Sequence, residues 1–465
     1  MDKTIDEGIM IRLQEIVGPE NVLSEASDIE PYSHDETPGL KSFPEVVVKP
    51  AEKKEIVEVL RLANKKKVPL TPRGGGTGLS GGAIPLKGGI VLSLERMNRI
   101  LDIDTANSMA VLQAGVINGE LQREAEKSGL FYPVNPASLD SCTIGGNVAE
   151  SSGGANAVRY GTTKDYISGL EVLLSDGKEV RAGGKLIKNV TDFGLIQLFL
   201  GSEGTLGVMT EVTLRLIPQP EATVMLIIPF NSLAAISETV TKIFATGIVP
   251  TMLELMDNKT IRICEKFLDR ELPFNTARAH LLIRLDGKNQ KELEASYQII
   301  GEVCLEQGGI DVLVADNPSE QRKIWEVRQS IHEALTNKAN LLADEDVVVP
   351  RSQITNLITG VEEISRKYSL PVANFGHLGD GNIHVNFLRE DLKEESAIKA
   401  LAPALNELFR LAVSLGGKIS GEHGIGLFKK PYFPLSVDKN YLELRRNIKS
   451  LFDPRHILNP GKIFD

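Results

Sequence analysis

The chain reads as an α+β protein, and two observations carry that assignment. Residues 221 to about 315 follow the order strand, helix, strand, strand, helix, strand, which builds a helix-covered antiparallel sheet of the ferredoxin-like kind. Upstream, the run Gly76-x-Gly78-x-x-Gly81 meets the spacing of a dinucleotide-binding fingerprint, but Pro85, Gly88 and Gly89 follow it and the next element is the strand IVLSL. A Rossmann fingerprint opens directly into a helix, so a doubly wound parallel sheet is rejected. Four segments result: residues 1–40, 41–220, 221–420 and 421–465.

Along the chain, Ile5, Ile9, Leu13 and Ile16 recur at helical spacing over residues 4–17. EVVVKP is a strand, Glu55 to Ala63 a helix with Ile56, Val59, Leu60 and Leu62 apolar, and VPLTP, GGIVLSL and SMAVLQAG are strands. A helix covers Asn118 to Lys127, and the turn dipeptide Asp176-Gly177 makes LEVLLSDGKEVRAG a hairpin. TEVTLRL alternates Val212, Leu214 and Leu216 with polar neighbours and ends at the junction PQPEA. The second region comprises ATVMLIIPF, a helix from Leu233 to Thr246, TMLELM, HLLIRL, a helix from Lys291 to Glu306, and DVLVA. From Pro318 onward helices dominate, interrupted by ANFGHLGDGNIHVNF and SGEHGIG.

Composition excludes several classes of function. With 52 Lys and Arg against 62 Asp and Glu the net charge is −10, which argues against a nucleic-acid surface. The basic run Lys65 to Lys67 falls at the end of a helix, where cations complement the dipole. Cys142, Cys264 and Cys304 are scattered, so neither a disulfide framework nor an iron–sulfur cluster held by this chain is indicated. The start MDKTIDEGIM has no apolar export core and no apolar run reaches ~18 residues, so a cytoplasmic protein without a transmembrane segment is expected. Glycine, 42 of 465 residues or about 9%, exceeds the usual ~7%, and the excess is clustered.

Three clusters lie in the first half of the chain. Arg73-Gly74-Gly75-Gly76-Thr77-Gly78-Leu79-Ser80-Gly81-Gly82 lets several backbone N–H groups converge on an anion without side-chain obstruction. PVNPASLDSCTIGGNVAESSGG, residues 133–154, contains a helix start at Thr143 and a second close approach at Ser151 to Gly154. Gly201-Ser-Glu-Gly204-Thr-Leu-Gly207 precedes the closing strand. Three such turns in one domain suit one extended ligand, longer than a phosphate.

Downstream, His377 and His384 flank the turn Gly379-Asp380-Gly381-Asn382, so their imidazoles can face each other across a hairpin mouth. Glu422 and His423 come from the separate loop SGEHG. Two histidines and a carboxylate form a facial set suited to a divalent metal, and Zn²⁺, Fe²⁺ and Mn²⁺ all accept that mixture.

The runs RGGGTGLSGG, TIGGNVAESSGG and GSEGTLGV resemble the FAD domain of the vanillyl-alcohol oxidase, or PCMH, family. GHLGDGNIHVNF, SGEHGIG and the terminal FDPRHILNPGK are similar to FAD-linked D-2-hydroxyacid dehydrogenases, a group that includes D-lactate dehydrogenases, a glycolate oxidase component and D-2-hydroxyglutarate dehydrogenase. The resemblance spans about residues 20–465. It implies a PCMH-type FAD-binding domain over 41–220, a substrate or cap domain over 221–420, and a C-terminal catalytic loop and helix that return to the flavin.

By that resemblance Gly74, Gly75, Gly76, Thr77, Gly78 and Ser80 cradle the FAD pyrophosphate. Pro136, Thr143, Gly146, Asn147, Ser151, Gly153, Gly154, Gly207 and Asn459 line the rest of the cofactor. No histidine lies between His34 and His280, so the FAD is expected to be non-covalent. The resemblance also implies that His377, His384 and Glu422 hold the metal, that Asn386 lies beside it, and that His423 is the base. Arg328, in Trp325-x-x-Arg328, is similar to a family carboxylate anchor, with a surface ion pair as the alternative.

The implied reaction takes a small D-2-hydroxy acid to its 2-oxo acid: His423 removes the hydroxyl proton and hydride passes to the flavin N5. D-lactate comes first and glycolate next, because no Lys or Arg occurs from Ala339 to Pro350, where the 2-hydroxyglutarate enzymes carry a further lysine. The electron acceptor implied is an electron-transfer flavoprotein or an iron–sulfur protein. A D-2-hydroxyglutarate dehydrogenase, a non-catalytic FAD subunit and a metal-dependent hydrolase are the competing readings.

Overall fold

A computed structural model describes residues 4–464. The described residues form two compact units: one contains 4–152, Thr162–Gln219 and 422–464, the other Gly153–Gly161 and Pro220–Gly421. Residues 4–40 therefore cluster with the first unit.

In the first unit the strands are β1 (Val22–Leu23), β2 (Val46–Val48), β3 (Leu70–Arg73), β4 (Ile90–Ser93), β5 (Ile100–Asp104), β6 (Met109–Gln113), β7 (Leu130–Phe131), β8 (Ile167–Leu173), β9 (Glu179–Gly183), β10 (Val208–Arg215) and β11 (Ile217–Pro218). A four-stranded sheet runs β1-β2-β4-β3 and a five-stranded antiparallel sheet runs β5-β6-β10-β8-β9. β2 and β3 both lie parallel to β4, and Val46, Val47 and Val48 are fully buried, the pattern of strands covered on both faces. The helix Lys53–Lys66 buries Ile56, Val59, Leu60 and Ala63 on one stripe, starts on a Glu52/Glu55 capping box, and ends at Lys67 in the left-handed region. The expected hairpin forms from β8 and β9, with Gly177 at φ 77° in its turn. At the C-terminal end Leu458 pairs in parallel with Leu70.

The second unit carries β12 (Ala222–Phe230), β13 (Met252–Asp257), β14 (Ala279–Gly287), β15 (Leu313–Ala315), β16 (Leu341–Val348), β17 (Val372–His377) and β18 (Asn382–Leu388). They form one sheet in the order β15-β12-β14-β13-β17-β18-β16, antiparallel throughout. Its first four strands have the ferredoxin-like order expected from the sequence, and β17, β18 and β16 extend them. Two elements depart from expectation. A helix, Asn258–Leu268, stands between β13 and β14, and LLADEDVV is a strand rather than part of a helical region. Asp344, Glu345 and Asp346 break the apolar signal of that strand, yet all three are buried.

Directly opposed residues in an antiparallel ladder point to the same face of the sheet. The pairs Leu282↔Glu254, Glu254↔His377, Phe375↔His384, Ala373↔Asn386 and Asn386↔Asp344 therefore share one face. There Met256, Leu282, Phe375 and Ala373 pack with Ile261 and Cys264 of the helix after β13, with Val327, and with Ile331, Ala334 and Leu335. Helix Pro318–Gln329 bears both Val327 and Arg328 and is thus fixed on the polar end of this face. Among the described residues no helix is long and apolar enough to cross a membrane.

Candidate active site

In the first unit the three glycine-rich turns converge on one short helix, Ile144–Glu150. Thr143 caps it by accepting the Gly146 N–H at 3.2 Å. A Cβ on Gly74 would stand 2.2 Å from the Thr143 Oγ1, and one on Gly75 would stand 2.2 Å from the Ser141 carbonyl oxygen, so the first turn needs glycine to lie against the second. Gly76 has φ 73°. The third turn joins the same helix through Gly201 N–H to the Val148 oxygen and Glu203 N–H to the Ala149 oxygen.

The remaining residues expected at the cofactor divide by what their surroundings explain. Thr77 and Gly78 are half-buried in the first turn, and Pro136 closes a turn by accepting the Leu139 N–H. Ser151 is the left-handed cap ending the helix, and Gly153 and Gly154 are buried in the short segment that belongs to the second unit. A Cβ on Gly207 would lie 2.4 Å from Val172 Cγ1, so strand packing accounts for that glycine without a ligand. Asn459 donates to the Gly82 and Glu203 carbonyls and accepts from Lys462, so its amide ties the first and third turns together.

Among the described residues the buried Ser80 Oγ and Asn147 Nδ2 find no hydrogen-bond partner. Both can donate, and both lie in segments whose glycines leave backbone close to backbone. A long, phosphate-rich, acceptor-rich ligand such as FAD fits this donor set.

The loop bearing His423 is fastened to these same turns. Glu203 accepts the Ile425 N–H at 2.8 Å and the Gly426 N–H at 2.7 Å, while the Ser80 carbonyl accepts from Leu427 and Phe428. Burial pushes the Glu203 carboxyl up, against the pull of the two backbone N–H groups and of Arg445 and Lys462. Gly424 and Gly426 sit at φ 83° and 51°, conformations that glycine takes without strain. Glu203 stood inside the GSEGTLG run but had no expected role, because its partner loop lies over 200 residues away.

On the polar face of the second unit, His377 and His384 present their Nε2 atoms to each other at 3.4 Å. The buried Glu254 accepts from His377 Nδ1 at 2.6 Å through one oxygen and from Arg328 Nε at 2.7 Å through the other. A carboxylate on Nδ1 requires the proton there, which leaves the His377 Nε2 lone pair facing His384. Asp344 stands 3.8 Å from His384 Nδ1 and 3.1 Å from His332 Nδ1. The ring of Phe375 stacks on His384 with centroids 4.6 Å apart, and the Arg328 guanidinium lies 4.7 Å from the centre of that same phenyl ring. Burial raises the Glu254 carboxyl, but the charges and hydrogen bonds of His377 and Arg328 outweigh it and hold it below the usual carboxylate range.

Asn386 donates to the Ala373 carbonyl, and its buried Oδ1 has no partner among the described residues. Two imidazole nitrogens are turned toward each other, and at the far nitrogen of His377 the Glu254 hydrogen bond forms the pattern in which an outer carboxylate orients a ligating histidine, while Asp344 lies 3.8 Å from the far nitrogen of His384. The donor set fits a divalent metal. Arg328 is no surface ion pair: it is 6% exposed, and its partner Glu254 is fully buried.

A family model described as FAD binding domain matches residues 44–183, and one described as FAD linked oxidases, C-terminal domain, matches residues 219–463. The chain belongs to the FAD-linked oxidase family. This FAD-linked oxidase is 39% identical over 460 residues to the glycolate oxidase subunit GlcD of Bacillus subtilis, covering 99% of this chain and 97% of that protein. It is also 39% identical over 460 residues to a D-lactate dehydrogenase of Anaerostipes hadrus, covering 98% and 97%. Among solved structures, p-cresol methylhydroxylase superposes with a TM-score of 0.81 at 18% identity over 99% of this chain and 98% of that one, a likeness of fold. The expected α+β architecture with a PCMH-type FAD-binding domain is borne out. The oxidase is a flavoprotein. That finding removes the hydrolase reading.

Proposed function

We propose that this FAD-linked oxidase converts a small D-2-hydroxy acid, D-lactate foremost and glycolate next, to the 2-oxo acid. The observation that carries the reading is the polar sheet face on which His377, His384 and the Glu254-bound Arg328 gather. His377, His384 and Glu422 would hold one divalent cation, Zn, Fe or Mn. When bound, that cation supplies Lewis acidity toward the C2 hydroxyl, and non-covalent FAD supplies the hydride acceptor at N5. Arg328 binds the substrate carboxylate with the guanidinium edge that Glu254 does not occupy. Asn386 offers its unpaired Oδ1 as an acceptor, and His423 takes the hydroxyl proton.

The named relatives support this substrate class, since they include a glycolate oxidase component and a D-lactate dehydrogenase. A longer dicarboxylate such as D-2-hydroxyglutarate is disfavoured because β16, which borders the histidine hairpin, brings Asp344, Glu345 and Asp346 and no cation. The electrons would leave for an electron-transfer flavoprotein or an iron–sulfur protein in the cytoplasm.

Anaerobic mixing with a panel of D- and L-2-hydroxy acids tests the reading. D-lactate and glycolate are expected to bleach the flavin absorption near-completely, and D-2-hydroxyglutarate and L-lactate to leave it. His423→Asn should keep FAD bound and lose the bleaching by at least ~100-fold in rate, the range of a general base. Unchanged bleaching in that variant would remove His423 as the base, and an unreactive wild type would favour the non-catalytic reading.

A further inference from the structure

The carboxylate of Glu254 occupies a place that neither the glycine turns nor the histidine motifs foretold. It lies on β13, fully buried, and accepts one hydrogen bond from His377 and one from Arg328, each on a different oxygen. We infer that Glu254 is a positioning residue that couples the metal site to the substrate anchor: a single carboxylate sets the tautomer of His377 and the orientation of Arg328 together. This rests on the reading that His377 and His384 hold a divalent cation.

The geometry explains why one residue serves both ends. With its proton held at Nδ1, His377 can offer only Nε2, the atom that faces His384. With Nε engaged, the Arg328 guanidinium is held 4.7 Å from the centre of the Phe375 ring, which also stacks on the His384 imidazole at 4.6 Å. A chain of contacts thus runs from Arg328 through Glu254 to His377, and from Arg328 through Phe375 to His384. Loss of either hydrogen bond leaves the carboxylate held through one oxygen only and able to turn about that contact, so a change at the anchor is passed to the metal site and the reverse.

The test uses FAD-loaded protein whose bound metal has been measured by elemental analysis. Glu254→Gln leaves an amide N–H₂ facing one of two donors. It is expected to weaken Zn²⁺ retention against a competing chelator by about tenfold or more and to raise the KM for D-lactate by a similar factor. Glu254→Asp, which keeps the charge, should recover part of the Zn²⁺ retention. Arg328→Lys is the sharper arm, because Arg328 is not among the metal ligands: it should lower Zn²⁺ retention about threefold or more in addition to raising KM. A folded, flavin-bound Glu254→Gln that holds Zn²⁺ and D-lactate within about twofold of wild type overturns the inference. If that variant does not fold, an Arg328→Lys protein with unaltered Zn²⁺ retention overturns it equally. A wild type whose turnover is indifferent to metal removal would instead overturn the ligand set itself, and the inference with it.

Discussion

Single residues carry different kinds of information, and the glycines show how. Gly75 is glycine because a Cβ would meet the Ser141 carbonyl at 2.2 Å, in a wall of the proposed FAD site; Gly207 is glycine because Val172 fills the space behind it. Their alanine variants should therefore separate. Gly75→Ala is expected to purify with little flavin, read as the ratio of visible to protein absorption, while the folded chain persists. Gly207→Ala is expected to lower unfolding stability by roughly 1–3 kcal/mol through overpacking, with the flavin ratio of the folded fraction intact. If the two lose flavin equally, the distinction fails. The glycines and the site histidines were legible because their motifs are local. Glu254 and Glu203 were not. A glutamate in TMLELM looks like the solvent side of an alternating strand, and only its partners at positions 328 and 377 show that it is buried and paired.

Among the elements, the hairpin of β17 and β18 depends on its turn. Gly381 has φ 86°, and a Cβ there would stand 2.0 Å from the Val349 carbonyl oxygen. Gly381→Ala should cost about 1–3 kcal/mol of stability in denaturant titration and weaken metal retention, since the register Phe375↔His384 that sets the two histidines is counted from this turn. Metal retention equal to wild type would show that the imidazoles do not depend on the turn. The ferredoxin-like order was readable because each strand and helix there has a clean period. β16 was unreadable because three consecutive acidic residues mask a strand, and their burial is made tolerable by partners such as His332 for Asp344 and Ser420 for Asp346. The helix Asn258–Leu268 escaped notice although Asp257 caps its start by accepting the Thr260 N–H, because it follows β13 with no loop between them.

At the scale of the whole chain, residues 422–464 are part of the first unit. Lys449 donates to the Thr205 and Leu458 carbonyls and pairs with Asp453, and Lys462 donates to the Ile84 carbonyl. Burial lowers the Lys462 ammonium from 10.5 to about 8, against the pull of Asp35 and Glu203. Between about pH 8 and 10.5 the unfolded chain then holds the proton that the folded chain has released, so this residue's contribution to stability rises with pH through that window. The stability of wild type minus that of Lys462→Met, followed by denaturant unfolding, should increase from pH 8 to 10. A flat difference would mean that Lys462 keeps its charge in the folded state.

The sequence by itself determined the α+β class, the three glycine turns, the histidine hairpin and the family to which they belong, because each is written within a few dozen residues by period, turn chemistry or motif. Only the tertiary structure decided which carboxylates are buried against the candidate site residues and their loop. Glu254 reaches His377 across 123 positions and Glu203 reaches Ile425 across 222, and a buried carboxylate is stable only where distant donors meet it. Such partners are specified by packing between elements, which no local pattern records.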